Sequence, residues 1–220
     1  MKEIVEFGDT SLKNSIIKYI YQEILSNRYS PKEHIKESEL AEKLKVSRAP
    51  VREALIELVG LGILVKRERK GIFLKEITQK EILDTYHTKG LIEGYLALDF
   101  ILKAKESDYD RLDALVREMS NAAHASSKEC VEAGEMFHQY YLKYSDNSIL
   151  TETLERVNIK SHILFFWNWS KLYTVQDIVR RHQKIADVLR SKERAHIEET
   201  IRDHYIETGM KIALQELKDV

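Results

Sequence analysis

The sequence contains a set of basic residues whose types and spacing suit contacts with nucleic acid. Arg48 and Arg52 stand four residues apart, which places both side chains on one face of a helix. Further along lies a second basic group: Lys66, Arg67, Arg69 and Lys70. Arginine forks hydrogen-bond the O6 and N7 edge of guanine, whereas basic side chains in a turn bind phosphate with little sequence preference. Taken alone, such a pattern also fits a solvated charged helix and turn, so contacts with duplex DNA are predicted only if the surrounding elements form a DNA-binding motif.

Three histidines, His138, His182 and His204, form the second set with chemical potential. If the chain reverses at residues 191–192, His182 and His204 both lie roughly 14 to 18 Å from the reversal at 1.5 Å per residue, level across an antiparallel helix pair. Neutral imidazoles on a rigid frame bind Zn or Ni. By itself the pattern also fits surface or hydrogen-bonded core histidines, so spacing alone leaves both interpretations open.

The elements that position the arginines form a helix-turn-helix with a basic hairpin. Helices are predicted over 12–27 and 38–44, and a third begins after Ser47, which suits an N-cap. Its buried stripe comprises Val51, Leu55 and Leu58. Strands at 63–65 and 72–74 flank a charged turn in which Gly71 is free to take a positive φ. Two short helices followed by a basic hairpin predict a winged helix-turn-helix.

After residue 78 every segment is helical in pattern. Six helices are predicted, over 79–105, 108–125, 128–145, 147–170, 174–190 and 193–217. We therefore expect a mainly α protein that comprises a tail (1–10), a winged helix-turn-helix domain (11–78) and an antiparallel six-helix domain (79–220) for effector binding and dimerisation. The composition agrees, with 43% hydrophobic and 32% charged residues but only 8 Gly and 2 Pro.

Charge is distributed unevenly between these parts. Residues 11–77 carry 14 Lys and Arg against 9 Asp and Glu, whereas residues 78–220 carry 20 against 24. A basic module joined to an acidic one indicates a polyanion-binding unit fused to a domain with another role. A single cysteine, Cys130, excludes a disulfide framework, and no signal-peptide or membrane-spanning pattern occurs. We expect a cytoplasmic protein without a membrane partner.

The N-terminal motif resembles the GntR family of bacterial transcription regulators. The resemblance rests on residues 40–55 (LAEKLKVSRAPVREAL), residues 61–64 (LGIL) and residues 70–74 (KGIFL). It implies that Ser47, Arg48 and Arg52 contact bases or phosphates and that Lys70 and Gly71 form the wing tip that enters the minor groove. Arg69 is a further DNA-binding candidate because it is a basic residue of the same hairpin. The chain departs from some members at Ser38, where those members carry an arginine at the start of the second helix.

The C-terminal part resembles the FCD domain of the FadR subfamily. The segments that match are 137–138 (FH), 146–150 (DNSIL), 182–185 (HQKI) and 202–204 (RDH). Many FCD domains bind a divalent metal through three histidines and an aspartate four residues before the first of them. That aspartate position is Gly134 in this chain. The alternatives are a three-histidine site completed by water or effector, a substitute ligand from Glu135, or no metal.

The same resemblance implies an effector of small-carboxylate type. Lys89 lies near where the family often has an arginine that holds an effector carboxylate, and His162 is a second candidate for the effector pocket. Acyl-CoA, which one branch of the subfamily binds, is the less favoured effector. The aromatic run 165–169 (FFWNW) could line a pocket, form a dimer surface or belong to the core.

The leading hypothesis is a ligand-responsive regulator, not an enzyme, that binds a palindromic operator as a homodimer. A single recognition helix reads few base pairs, and this favours a two-fold assembly. The first rival is a metal-dependent hydrolase with a fused nucleic-acid-binding domain, since an open metal position can activate water. The second is a helical domain that serves only for dimerisation.

Overall fold

A computed structural model describes residues 11–30, 33–122 and 127–216. The chain divides into two compact units between Ile77 and Thr78. The predicted tail 1–10 and the predicted helical residues 123–125 and 217 lie outside the described residues, as does the side chain of Cys130. Over the described ranges, no helix combines the length and apolar character needed to cross a membrane.

The N-terminal unit holds three helices and a small sheet. In chain order the elements are α1 (Leu12–Leu25), β1 (His34–Ile35), α2 (Glu37–Leu44), α3 (Arg48–Gly60), β2 (Leu64–Arg67) and β3 (Gly71–Leu74). The predicted helix-turn-helix with a wing is therefore confirmed. Strand β1 was not predicted from the sequence, because two residues carry no usable periodicity.

The core of this unit forms between α1 and α3. Apolar side chains of α1 recur at helical spacing, and Ile16, Ile20 and Ile24 are at most 2% exposed. Ser11 caps α1 by accepting a hydrogen bond from the backbone N–H of Asn14. The predicted stripe of α3, which comprises Val51, Leu55 and Leu58, is fully buried. Burial of this stripe fixes which face of α3 points to solvent.

The sheet is antiparallel, with β3 between β1 and β2. Leu64 pairs with Leu74, and Arg67 pairs with Gly71 at the open end of the hairpin. His34 pairs with Phe73 on the other edge, and the two rings stack with centroids 5.4 Å apart. The third strand thus holds the wing from the side opposite to β2.

The C-terminal unit is helical throughout its regular structure. The helices are α4 (Gln79–Lys103), α5 (Glu106–Ala122), α6 (Ser127–Leu142), α7 (Ser148–Leu172), α8 (Val175–Ser191) and α9 (Arg194–Glu216). These are the six predicted helices, with bounds that differ by up to three residues, as at the end of α6, which is predicted at residue 145 and lies at Leu142. Helix α5 begins at Glu106 and not at residue 108, because Asp108 lies inside the first turn and accepts a hydrogen bond from the backbone N–H of Lys105.

Helices α4 and α9 pack closely and run antiparallel. A Cβ at Gly90 would lie 3.0 Å from the backbone of Arg202, and one at Gly94 would lie 3.1 Å from the carbonyl oxygen of Glu198. Because glycine has no side chain, the backbones of α4 and α9 approach closely at these two positions. Polar residues of both helices therefore reach the same interior space. A capping box at Thr78 and Glu81 fixes the start of α4.

Candidate functional site

Helix α3 presents its N-terminus and its polar face to solvent. Ser47 occupies the N-cap with extended backbone, yet its hydroxyl makes no capping hydrogen bond. Ser47 and Arg48 are both exposed. Because the first amides of a helix lack intrahelical partners, this end offers N–H groups and a hydroxyl to a phosphate. The placement suits the DNA contacts that the sequence predicts.

Arg52 lies on the exposed face of α3 and is held by Glu37 of α2. Its Nε lies 2.8 Å and 3.0 Å from the two carboxylate oxygens of Glu37. The hydrogen bond from Arg52 lowers the pKa of Glu37, although partial burial opposes it. Sequence reasoning missed Glu37, which holds Arg52 through its Nε. An oriented guanidinium suits bidentate recognition of a base edge.

The tip of the wing consists of exposed basic residues on a tight turn. The Lys70 N–H donates to the Arg67 carbonyl at 3.1 Å, and Arg69 has a φ of 56°. Gly71 follows with a φ of 102°, where an added Cβ would come within 2.0 Å of His34 Nε2. The predicted positive φ at Gly71 is confirmed. The turn directs Arg69 and Lys70 into solvent, where they can meet phosphates.

The three predicted histidines converge in the C-terminal unit. His138 of α6, His182 of α8 and His204 of α9 each offer a ring nitrogen, and these atoms all lie within 4.8 Å of one another. The ring centroids of His182 and His204 are 5.3 Å apart, so the two residues are level across the α8–α9 hairpin. Helix α8 ends at Ser191, close to the predicted reversal.

In two of the three rings, hydrogen bonds indicate which nitrogen carries a proton. His182 Nδ1 lies 2.7 Å from the Ile178 carbonyl, an acceptor only, so this nitrogen donates and Nε2 holds a lone pair. His138 Nδ1 lies 2.6 Å from Glu93 and donates to that carboxylate. The two Nε2 atoms then face each other at 3.1 Å. Two facing lone pairs repel unless a cation, either a proton or a metal ion, lies between them.

Burial keeps the cluster suited to metal binding. Burial and then the electrostatic interaction with His138 lower the pKa of His182 to about 3. Burial also lowers the pKa of His204 well below its usual range. Both rings are neutral at pH 7 and can donate lone pairs, which is the state a divalent metal requires. The donor set, three imidazole nitrogens on three helices, fits Zn or Ni.

A buried carboxylate that sequence reasoning missed supports His138. Glu93 of α4 is 0% exposed and accepts hydrogen bonds from His138, from the Tyr205 hydroxyl at 2.8 and 2.9 Å, and from the Tyr141 hydroxyl. Burial would raise its pKa, but the electrostatic attraction to His138 and these hydrogen bonds outweigh burial and lower the pKa to about 2. Such a carboxylate fixes the tautomer and orientation of a metal-binding histidine. A charged pair at i, i+4, Lys89 and Glu93, on a buried helix face is the signal that could have revealed it.

A cavity of about 60 Å³ opens beside the histidines. Its walls include both predicted effector residues, Lys89 and His162, which are 6% exposed each, and also Phe165 from the aromatic run. Trp169 of the same run is buried in the core at 7% exposed. The structure thus brings Lys89, His162 and the three histidines around one space. The aromatic run 165–169 therefore contributes one residue to the cavity wall and another to the core.

Gly134 and Glu135 also line this cavity. A Cβ at Gly134 would lie 3.3 Å from His182 Nε2, so the backbone of Gly134 faces the cluster directly. Within the part of the chain that the structure describes, the group of residues placed to share a metal comprises the three histidines without Glu135. Glu135 lies on the cavity wall, one helical turn before His138.

Together, a winged helix-turn-helix and a helical unit with an internal polar cavity define a DNA-binding regulator with a sensing domain. Comparison with known families agrees. The model described as bacterial regulatory proteins of the gntR family matches residues 12–74, and the model of the FCD domain matches residues 84–207. The chain belongs to the GntR family of transcription regulators and carries an FCD ligand-sensing domain.

Individual relatives are regulators as well. The chain is 26% identical over 185 residues to the HTH-type transcriptional regulator YdhC of Bacillus subtilis, covering 83% of this chain and 82% of YdhC. It is 28% identical to the Nta operon transcriptional regulator of Aminobacter aminovorans, covering 66% and 69%. The fold matches Escherichia coli McbR/YncC with a TM-score of 0.76 at 16% identity, covering 95% and 100%. The family and these relatives are transcriptional regulators and not enzymes, so the hydrolase alternative is wrong.

Proposed function

We propose that this regulator, a member of the FadR subfamily, binds a palindromic operator as a homodimer and senses a small carboxylate through a divalent metal in its helical unit. The observation that carries the proposal is the three-histidine cluster beside a cavity that contains a buried lysine. Three ring nitrogens close enough to share one metal ion, together with a cation for a carboxylate, suit an anionic ligand.

The DNA-binding part of the proposal rests on the exposed end of α3 and on the wing. Arg48 and Arg52 read base edges in the major groove, with Arg52 oriented by Glu37. Ser47 contacts phosphate through its hydroxyl. Arg69 and Lys70 approach the backbone or the adjacent minor groove from a turn that Gly71 makes possible.

The sensing part rests on residues from several helices. His138, His182 and His204 hold the ion, with Zn or Ni as the metals that favour such ligands. When bound, the metal supplies a Lewis-acidic position that an effector oxygen can occupy. Because Gly134 contributes no anionic ligand, the site keeps more positive charge and suits an anionic effector. Lys89 receives the effector carboxylate in the same cavity.

The cavity favours a small effector. Its volume of about 60 Å³ is several times the roughly 10 to 15 Å³ that one water requires. That space suits an acid of a few carbon atoms and does not suit an acyl-CoA chain. His162, which is buried and neutral because burial lowers its pKa, forms part of the wall around such a ligand.

Exposed apolar residues on α4 support the homodimer. Leu91 is 51% exposed, Tyr95 is 50% exposed and Leu102 is 79% exposed, and their spacing of four and seven residues places them on one face. A second copy of the chain covers this stripe, with α4 of one copy packed against α4 of the other. Such a two-fold contact buries the same residues in both copies. Sedimentation of wild type should show a dimer, and a Leu91→Glu, Tyr95→Glu double variant should show a monomer. A monomeric wild type would exclude this assembly.

Metal analysis tests the sensing part most directly. We expect about one Zn or Ni per chain after metal loading and dialysis, together with a carboxylate-dependent rise in melting temperature. His182→Ala should lose both, whereas His196→Ala should keep both, since His196 is exposed and paired with Glu193 outside the cluster. If wild type retains no metal and His182→Ala responds to carboxylates as wild type does, the metal-centred mechanism is wrong. A dimer that binds DNA without any response to carboxylates would instead favour the helical unit as a dimerisation domain.

Operator binding tests the DNA part. Arg48→Ala or Arg52→Ala should each cost about 1 to 3 kcal/mol on the cognate operator if they remove a base contact. Lys70→Ala should weaken binding about equally on all sequences and reduce the salt slope by about 1. An Arg48→Ala, Arg52→Ala double variant with wild-type affinity would refute base recognition by α3.

A further inference from the structure

Two residues of opposite charge face the same cavity without pairing. Lys89 projects from α4 and is 6% exposed, whereas Glu135 projects from α6 and is partly exposed. Over the described residues, neither side chain is in salt-bridge contact with another charged group, although the charge of Lys89 is among the causes that lower the pKa of Glu93, one turn further along α4. A cavity with both a cation and an anion on its walls is a different recognition surface from one that offers a cation alone.

Lys89 is only weakly satisfied by the protein. Its Nζ lies 3.5 Å from the Ser161 hydroxyl oxygen and 4.6 Å from the centre of the Tyr205 ring. A buried ammonium group costs several kcal/mol unless an anion or several hydrogen bonds compensate it. Its position therefore favours a ligand that brings a carboxylate to this end of the cavity.

Glu135 projects its charge into the same space. Burial is the main cause of the raised pKa of Tyr86 and of Tyr205, two residues of the cavity wall. The negative charge of Glu135 is a further cause in both. In the described part of the chain its carboxylate stands outside the metal-binding group. Glu135 is therefore available to a positively charged group of a ligand.

The remaining charges of the cavity already have partners. Arg181 forms an ion pair with Glu207 and donates to the His204 carbonyl at 2.6 Å. Glu93 is engaged by His138 and two tyrosine hydroxyls. Lys89 attracts Glu93 through its charge but has no salt-bridge contact, so Lys89 and Glu135 are the cation and the anion that a ligand can complement by direct contact.

We propose that the effector is a zwitterion, an amino acid or amino-acid derivative whose carboxylate faces Lys89 and the histidine cluster while its ammonium group faces Glu135. The proposal rests on the proposed function, because it assumes that a carboxylate is sensed in this cavity. It adds the requirement for an amine. Replacing that amine by a hydroxyl leaves the Glu135 carboxylate opposite a group of no charge, so an otherwise identical hydroxy acid binds more weakly.

The test compares matched pairs of acids by isothermal titration on the metal-loaded full chain. The pairs are glycine and glycolate, L-alanine and L-lactate, L-aspartate and L-malate, β-alanine and 3-hydroxypropionate, and 4-aminobutyrate and 4-hydroxybutyrate. In at least one pair the amine should bind tenfold or more tightly than the hydroxyl compound. Glu135→Gln should abolish that preference while leaving metal content unchanged and affinity for the hydroxyl member within threefold. Glu129→Gln, on an exposed position of the same helix, should behave as wild type.

Each other result overturns the proposal in a distinguishable way. If the hydroxyl member binds as tightly as the amine in every pair, carboxylate sensing stands and the zwitterion is wrong. If Glu135→Gln loses the metal, Glu135 is a metal ligand and not an ammonium receptor. If no acid of either kind binds the metal-loaded protein, both this proposal and the proposed function are wrong.

Discussion

Replacing Gly134 by aspartate should tighten metal retention and weaken carboxylate binding. A Cβ at this position lies 3.3 Å from His182 Nε2. A carboxylate oxygen extends about 2.4 Å beyond Cβ, which is enough to reach an ion bound about 2.0 Å from a histidine nitrogen. Gly134→Asp thus adds an anionic ligand where this chain has none. The gap of 3.3 Å is tight but ends on a side chain, which can shift by a few tenths of an ångström.

The expected magnitude follows from charge. Two carboxylates about 4 Å apart on one ion repel by about 4 kcal/mol at an effective dielectric constant of 20. Only part of this repulsion energy weakens effector binding, because the metal attracts both carboxylates. One third of the repulsion energy already corresponds to about a tenfold loss of affinity. We expect metal affinity to rise at least tenfold in Gly134→Asp and carboxylate affinity to fall at least tenfold.

Chelator competition measures the first change, and isothermal titration of a carboxylate into metal-loaded protein measures the second. Gly134→Asn is the matched control, because it has the same shape without the charge. If Gly134→Asp holds metal no more tightly than Gly134→Asn and binds carboxylates as wild type does, the space beside His182 is not a coordination position. The reasoning from the missing aspartate would then be refuted.

Further variants test the supporting contacts. Glu93→Gln removes the charge that holds His138 Nδ1 and should lower metal affinity by about 10- to 100-fold, as measured by chelator competition; unchanged affinity would exclude a positioning role. Gly71→Ala should destabilise the N-terminal unit by about 1 to 3 kcal/mol in denaturant unfolding, because φ is 102° and the new Cβ would overlap His34. Gly60→Ala is its control, since a Cβ there meets nothing within 4 Å and should leave stability unchanged or raise it by up to about 1 kcal/mol.

Much of the architecture could be predicted from the sequence because local periodicity and capping specify it. Apolar spacing in α3 identified Val51, Leu55 and Leu58 as its buried face, and this in turn assigned Arg48 and Arg52 to the exposed face. Gly71 in a charged turn predicted the hairpin and its positive φ. Such features depend on residues within about one helical turn or one hairpin of each other, so chain order alone reveals them.

Part of the cavity could also be predicted. His182 and His204 face each other because they lie at similar distances from the turn of a helical hairpin. Residues at similar distances from such a turn lie at the same level on the two antiparallel helices. No such arithmetic relates them to His138, whose approach depends on how α6 packs against α8. The placement of this histidine was inferred from resemblance, and its geometry became visible only in the folded chain.

Only the tertiary structure decided how the charges are shared. Glu93 on α4 lies 45 residues from His138 and 112 residues from Tyr205, and nothing local in the sequence links the three. Glu37 holds Arg52 from a different helix in the same way. The sequence by itself identified the arginines and histidines that carry chemistry and the exposed face of α3, but it revealed neither Glu37 nor Glu93. The packing of helices determined which charges neutralise one another inside the protein, because electrostatic partners are chosen by distance in space and not along the chain.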